Sequence, residues 1–310
     1  MPAAATLAAR YADWPWWAKS SVRLLVILAV TYLFVAAALF VLQRRMIYPA
    51  GRSDVRLEAA DFAGGRDLRD VTATTADGLA LHGWLTRAPG GPAKAADRRA
   101  ILYLHGNGGD RRIRLGETDA YNALGWDVLL FDYRGYGENP GSPSEPGLHR
   151  DGRAFWEATR TLGYPPERIV IAGTSLGGGV ATPLAARLCE AGTPPAGLLL
   201  RSTFNSLVSA ASGRFPWLPV GLLLRDRFDS AAAAGRVACP VFQAHGEADG
   251  IVPLELGERL FAAFPSESAH GVSKCWLALP ATGHNAVRIE GGAAYAAAER
   301  AFLTDVLPAE

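Results

Sequence analysis

The chain lacks most of the features that mark metal proteins, disulfide scaffolds and nucleic-acid binders. Cysteine is scarce. Cys189, Cys239 and Cys275 form an odd set without paired metal spacing, so neither a disulfide framework nor a zinc or iron site is implied. Their apolar neighbours mark them as expected core thiols. No dinucleotide fingerprint appears, and no segment repeats at a fixed period. Excess charge of either sign is missing too: 31 basic side chains face 30 acidic ones, and removing residues 1–43, with three basic and one acidic, leaves 28 against 29. So even a balance gives no basic patch for nucleic acid, and no nucleic-acid partner is expected.

What is present begins with one uncharged run. Leu24 to Leu42 holds 19 residues in which only Thr31 and Tyr32 carry polar atoms. As a helix it spans about 28 Å, close to the roughly 30 Å hydrocarbon core of a bilayer. Trp14, Trp16 and Trp17 precede it and Tyr48 follows it, as interfacial aromatics do. A transmembrane anchor is expected within residues 1–43. A cleaved signal peptide is the rival, with Ala36-Ala37-Ala38 as its cleavage site, but apolar residues continue through Leu42. Arg10, Lys19 and Arg23 on one side nearly balance Arg44, Arg45 and Arg52 on the other, so the membrane face of the remainder is left open.

The 267 residues after Gln43 read as one α/β domain, 44–310. Asp67 to Thr75 and Leu79 to Thr86 flank Asp77-Gly78 as an alternating hairpin. Strands then recur at 101–104, 128–131, 169–172, 197–200, 241–244 and 276–279, and helices at about 112–124, 148–162, 176–191, 254–264 and 292–307. Such alternation implies a mostly parallel central sheet covered by helices. Residues 138–146, with three prolines, read as a stiff loop.

Gly173-Thr174-Ser175-Leu176-Gly177 joins a strand to a helix, the setting in which G-x-S-x-G forms a nucleophile elbow. A serine hydroxyl is a poor nucleophile until a histidine takes its proton, and that histidine needs a carboxylate. His245, His270 and His284 follow the serine. His284, in the loop Gly283-His284-Asn285 after a strand, is the expected base; His270 lies in a polar run, and His245 is expected to pack under a neighbouring loop. Asp249 in His245-Gly246-Glu247-Ala248-Asp249 is the expected acid, with Glu247, Asp226 and Asp229 as competitors. Oxyanion donors are expected from the backbone N–H groups of Leu176 and Asn107, with Gly106 as the alternative to Asn107. His105 precedes the serine and reads as structural, as do Asp132 and Arg134 in Asp132-Tyr133-Arg134-Gly135-Tyr136-Gly137.

Taken as a set, His105-Gly106-Asn107-Gly108-Gly109, Phe131 to Gly137, Gly173 to Gly177, His245 to Asp249 and Gly283-His284-Asn285 resemble the α/β-hydrolase superfamily, and within it the membrane-anchored abhydrolase-domain group. That resemblance implies a short lid, placed at about 202–234, and hydrolysis of a lipid, acyl ester or acyl-thioester through an acyl-enzyme. No cofactor is implied. Two other readings stay open: a serine aminopeptidase or amidase, with Asp226 and Asp229 in the lid to receive a free amine, and a non-catalytic membrane-tethered scaffold.

Overall fold

The computed structural model describes residues 14–307, so Arg10 of the charge balance lies outside the described residues. Tertiary contacts divide the chain into two units, residues 1–46 and 47–310.

The described part of the first unit is helical. Helix α1, Trp16–Ile47, extends the uncharged run at both ends and carries Arg44 and Arg45 in its last turn, where cations suit the helix dipole. Leu24, Leu25, Val26, Ile27 and Leu28 are each more than half exposed. Five consecutive residues cover every face of a helix. No face of this stretch is therefore buried by protein.

The second unit is built on an eight-stranded sheet in the order β1-β2-β4-β3-β5-β6-β7-β8. Its strands are β1 (Asp67–Thr74), β2 (Ala80–Arg87), β3 (Ala100–Leu104), β4 (Asp127–Phe131), β5 (Ile169–Thr174), β6 (Gly197–Arg201), β7 (Val241–Gly246) and β8 (Cys275–Leu279). The β1–β2 hairpin pairs antiparallel and β2 joins β4 antiparallel; every later pairing is parallel. The central strands are apolar without interruption because both faces are covered. In β5, Ile169 and Ile171 enter one core while Val170 and Ala172 enter the other.

The main helices are the crossovers α2 (Leu115–Ala123), α3 (Glu145–Thr161), α4 (Leu176–Glu190) and α5 (Leu254–Ala263), and α6 (Gly292–Asp305), which follows the last strand. Helix α2 begins three residues later than expected, behind the 3-10 turn Arg111–Arg114, and α3 begins three residues earlier, inside the segment read as a stiff loop. Pro146 sits in its first turn, where no N–H acceptor is needed, and Ser144 Oγ caps it by accepting from Gly147 N at 3.2 Å. Of the thiols, Cys239 is buried as expected, whereas Cys189 is half-buried and Cys275 exposed; all three are free of disulfides. Cys275 opens the edge strand β8, which has a neighbour on one side alone.

Residues 202–234 hold three short helices, Leu207–Arg214, Val220–Leu223 and Ser230–Ala234. Phe204, Val220 and Phe228 are buried, whereas Trp217 and Leu222 are exposed.

Candidate active site

Ser175 stands at the turn between β5 and α4 with φ +53° and ψ −119°. This conformation is strained for a residue with a side chain, and close packing enforces it. A Cβ on Gly177 would lie 2.0 Å from Leu104 O, and one on Gly173 2.8 Å from Gly177 O. Both flanking positions therefore admit glycine alone. Arg201 O accepts from Ser175 N at 2.9 Å, and Ser175 O accepts from Thr203 Oγ1 at 2.8 Å. Ser175 is only 9% exposed and lines a cleft at the end of β5.

The expected partners converge there. His284 Nε2 lies 3.1 Å from Ser175 Oγ, and His284 Nδ1 lies 2.7 Å from Asp249 Oδ2. An ionised carboxylate only accepts, so Nδ1 carries the proton and Nε2 presents its lone pair to the serine. Asp249 Oδ1 accepts from the N–H groups of Ile251 and Val252 at 2.9 and 2.8 Å. Burial pushes the Asp249 carboxyl up, but hydrogen bonds from His245, His284 and Val252 N–H outweigh it and hold its pKa well below the usual carboxylate range. Glu247 and His270 are exposed and bond to neither His284 nor Asp249 among the described residues. Asp226 is buried and accepts from Glu145 N, while Asp229 caps the helix Ser230–Ala234. Neither lines the cleft.

Two features escaped sequence reading. His245 is fully buried, but it packs on the acid rather than merely under a loop: its Nε2 lies 2.9 Å from Val252 O and 3.3 Å from Asp249 Oδ2. Ser202, with φ +46°, donates its Oγ–H to His284 O at 3.0 Å and so holds the histidine loop from the end of β6. The His245 signal lay in the four-residue spacing to Asp249. Ser202 had none, because its partner lies 82 residues away.

Of the expected oxyanion donors, Asn107 lines the same cleft and Leu176 directly follows Ser175. Leu176 is the first residue of α4, so its N–H has no intrahelical acceptor. Asn107 is fixed at both ends: its Nδ2 donates to Ile47 O at 3.0 Å, and its O accepts from Tyr136 Oη at 3.0 Å. Gly106 and Asn107 both line the cleft with Ser175 and His284. His105 is buried beneath that loop, beside Tyr133 and Tyr136, and burial pushes its pKa down to about 3. Asp132 pairs with Arg111, and Arg134 with Asp77 and Asp151. These contacts tie loops together, as the motif suggested. Among the described residues, no group of three or more His, Cys, Asp or Glu is arranged to hold a metal ion.

Comparison with known proteins gives three results. Residues 99–226 match a family described as alpha/beta hydrolase fold. An uncharacterized protein of Mycobacterium tuberculosis is 38% identical over 267 residues, covering 85% of this chain and 88% of its own. The lysophosphatidylserine lipase ABHD12 of Danio rerio is 38% identical over 189 residues, which is 55% of this chain and 49% of the lipase. The chain thus spans about half the length of that relative. Among solved structures, an esterase of Pyrococcus furiosus superposes with a TM-score of 0.62 at 18% identity, covering 83% of this chain and 97% of the esterase. An alpha-beta hydrolase from Vibrio vulnificus gives 0.60 at 24% identity, covering 76% and 81%.

Proposed function

Since this chain belongs to the α/β-hydrolase superfamily, as an abhydrolase-domain hydrolase, we propose that it is a membrane-anchored serine hydrolase cleaving a lipid ester or acyl-thioester. The observation that carries the reading is the chain of contacts from Ser175 Oγ through His284 to Asp249. In this mechanism His284 Nε2 takes the proton of Ser175 as Oγ attacks the substrate carbonyl, and Asp249 holds the resulting imidazolium. The N–H groups of Leu176 and Asn107 stabilise the oxyanion. His284 then returns the proton to the leaving group, and water deprotonated by the same base attacks the acyl carbon, the proton passing to Ser175 Oγ as the acyl-enzyme bond breaks.

The lipase name of the partial relatives supports a lipid ester. The helix α1 supports an anchor, because an apolar surface exposed on every side needs an apolar surrounding. An aminopeptidase is less well supported, since Asp226 and Asp229 are engaged elsewhere.

The test is hydrolysis of p-nitrophenyl esters from acetyl to palmitoyl by wild type beside Ser175→Ala. Serine loss is expected to lower kcat by about four powers of ten or more, and to abolish labelling by a fluorophosphonate. Full turnover in the variant sinks the reading. Labelling without hydrolysis of any ester moves the assignment to the amidase class.

A further inference from the structure

Arginines wall part of the cleft that holds Ser175 and His284, and their donors are unequally satisfied. Arg114, Arg201 and Arg288 line it, with Glu117 among them. Arg288 is engaged through all three nitrogens: Nε donates to Glu117 Oε2 at 2.9 Å, and Nη1 and Nη2 donate to Glu299 at 2.8 and 2.7 Å. Arg201 shares that Glu117 oxygen through Nη2 at 2.8 Å and donates to Tyr103 Oη at 3.2 Å. Its Nε–H has no acceptor among the described residues, although Arg201 is only 3% exposed. Arg114 is less satisfied still. Nη2 donates to Gly108 O at 2.8 Å, but Nε is buried without an acceptor, and no ion-pair partner holds its charge among the described residues.

Buried donors are nearly always paired in folded proteins, so two orphaned guanidinium N–H groups in one cleft point to an absent acceptor. Charge points the same way. Three guanidiniums meet two carboxylates, Glu117 and Glu299, which leaves one positive charge in excess at a largely buried place. An oxyanion satisfies both deficits, because carboxylate and phosphate oxygens match the guanidinium fork. The location is also apt: Arg114 holds the carbonyl of Gly108, next in sequence to Asn107.

We propose that Arg114, backed by Arg201, forms a subsite for an anionic group, carboxylate or phosphate, carried by the substrate whose carbonyl Ser175 attacks. The proposal rests on the serine-hydrolase reading for the role of the anion in turnover, though not for its binding. Glu117 keeps Arg201 and Arg288 in place, and Arg114 supplies the uncompensated charge.

The test uses the full chain in detergent and two matched substrate pairs. p-Nitrophenyl hexanoate beside mono-p-nitrophenyl adipate places a carboxylate on the acyl side. A 1-acylglycerol beside the same 1-acylglycerol 3-phosphate places a phosphate on the alcohol side. In one pair the anionic member is expected to show the higher kcat/KM, by about tenfold or more and chiefly through KM. The pair that responds identifies the side. Arg114→Gln is expected to lower that anionic-to-neutral ratio by a similar factor, and Arg114→Lys to keep part of it. A ratio unmoved by Arg114→Gln in both pairs overturns the subsite. Calorimetric titration of the Ser175→Ala protein with glycerol 3-phosphate and with adipate separates the two readings. Binding that Arg114→Gln abolishes supports the subsite even if esters prove to be the wrong substrates. The absence of binding by both anions, with no charge preference in either pair, removes it.

Discussion

Asp249 receives hydrogen bonds from His245, His284 and two backbone N–H groups, and its lowered pKa has a pH consequence. A carboxyl whose folded pKa lies below the ordinary value of about 4 contributes stability that is complete above that value. The contribution is lost as pH falls through the lowered folded pKa. His245→Phe removes one donor, so the folded pKa rises toward the ordinary value and the stability that Asp249 contributes near neutral pH shrinks. Melting temperature measured from pH 6 down to pH 3 is expected to lie below wild type at pH 6 and to approach it at the acid end, because the variant has less Asp249 stabilisation to lose. His245→Gln retains an N–H donor and is expected to lie between the two. A melting-temperature gap to wild type that stays the same at every pH would show that His245 merely fills space. At this scale the sequence made Ser175, Asp249 and His284 legible through local signatures, whereas the contacts of His245 and Ser202 depend on which loops the sheet brings together.

The elements obey local rules that single substitutions can test. Ser144 caps α3 through Gly147 N, so Ser144→Ala is expected to cost about 1 kcal/mol in urea unfolding. Gly177→Ala forces a methyl against Leu104 O and is expected to cost about 1–3 kcal/mol, read as a lowered melting temperature. A stability equal to wild type would mean that the elbow relaxes freely. Strand positions followed the apolar runs to within two residues because the parallel strands are buried on both faces. The start of α3 was misplaced because a proline reads as a breaker, although the first turn of a helix tolerates it. The lid helices are too short for periodicity to reveal them.

For the whole molecule, the exposed apolar helix α1 sets the principal expectation. If α1 spans a bilayer, the hydrolase remains in the membrane pellet after alkaline carbonate extraction. Leu28→Lys combined with Phe34→Lys is expected to release it, since each central charge opposes insertion by about 2.5–3.5 kcal/mol. Wild-type protein recovered in the soluble fraction, with its N-terminus beginning after Ala38, would favour the signal peptide instead.

By itself the sequence determined the strand-helix alternation, the two glycines that flank Ser175, the apolar run and the candidate nucleophile, base and acid. These are local properties, written in periodicity and in spacing of a few residues. Tertiary structure alone decided that His284 reaches Ser175 across 109 positions, that His245 and Ser202 hold its partners, and that three arginines share one cleft. Such contacts follow from strand order and loop direction, which bring residues together without leaving any pattern along the chain.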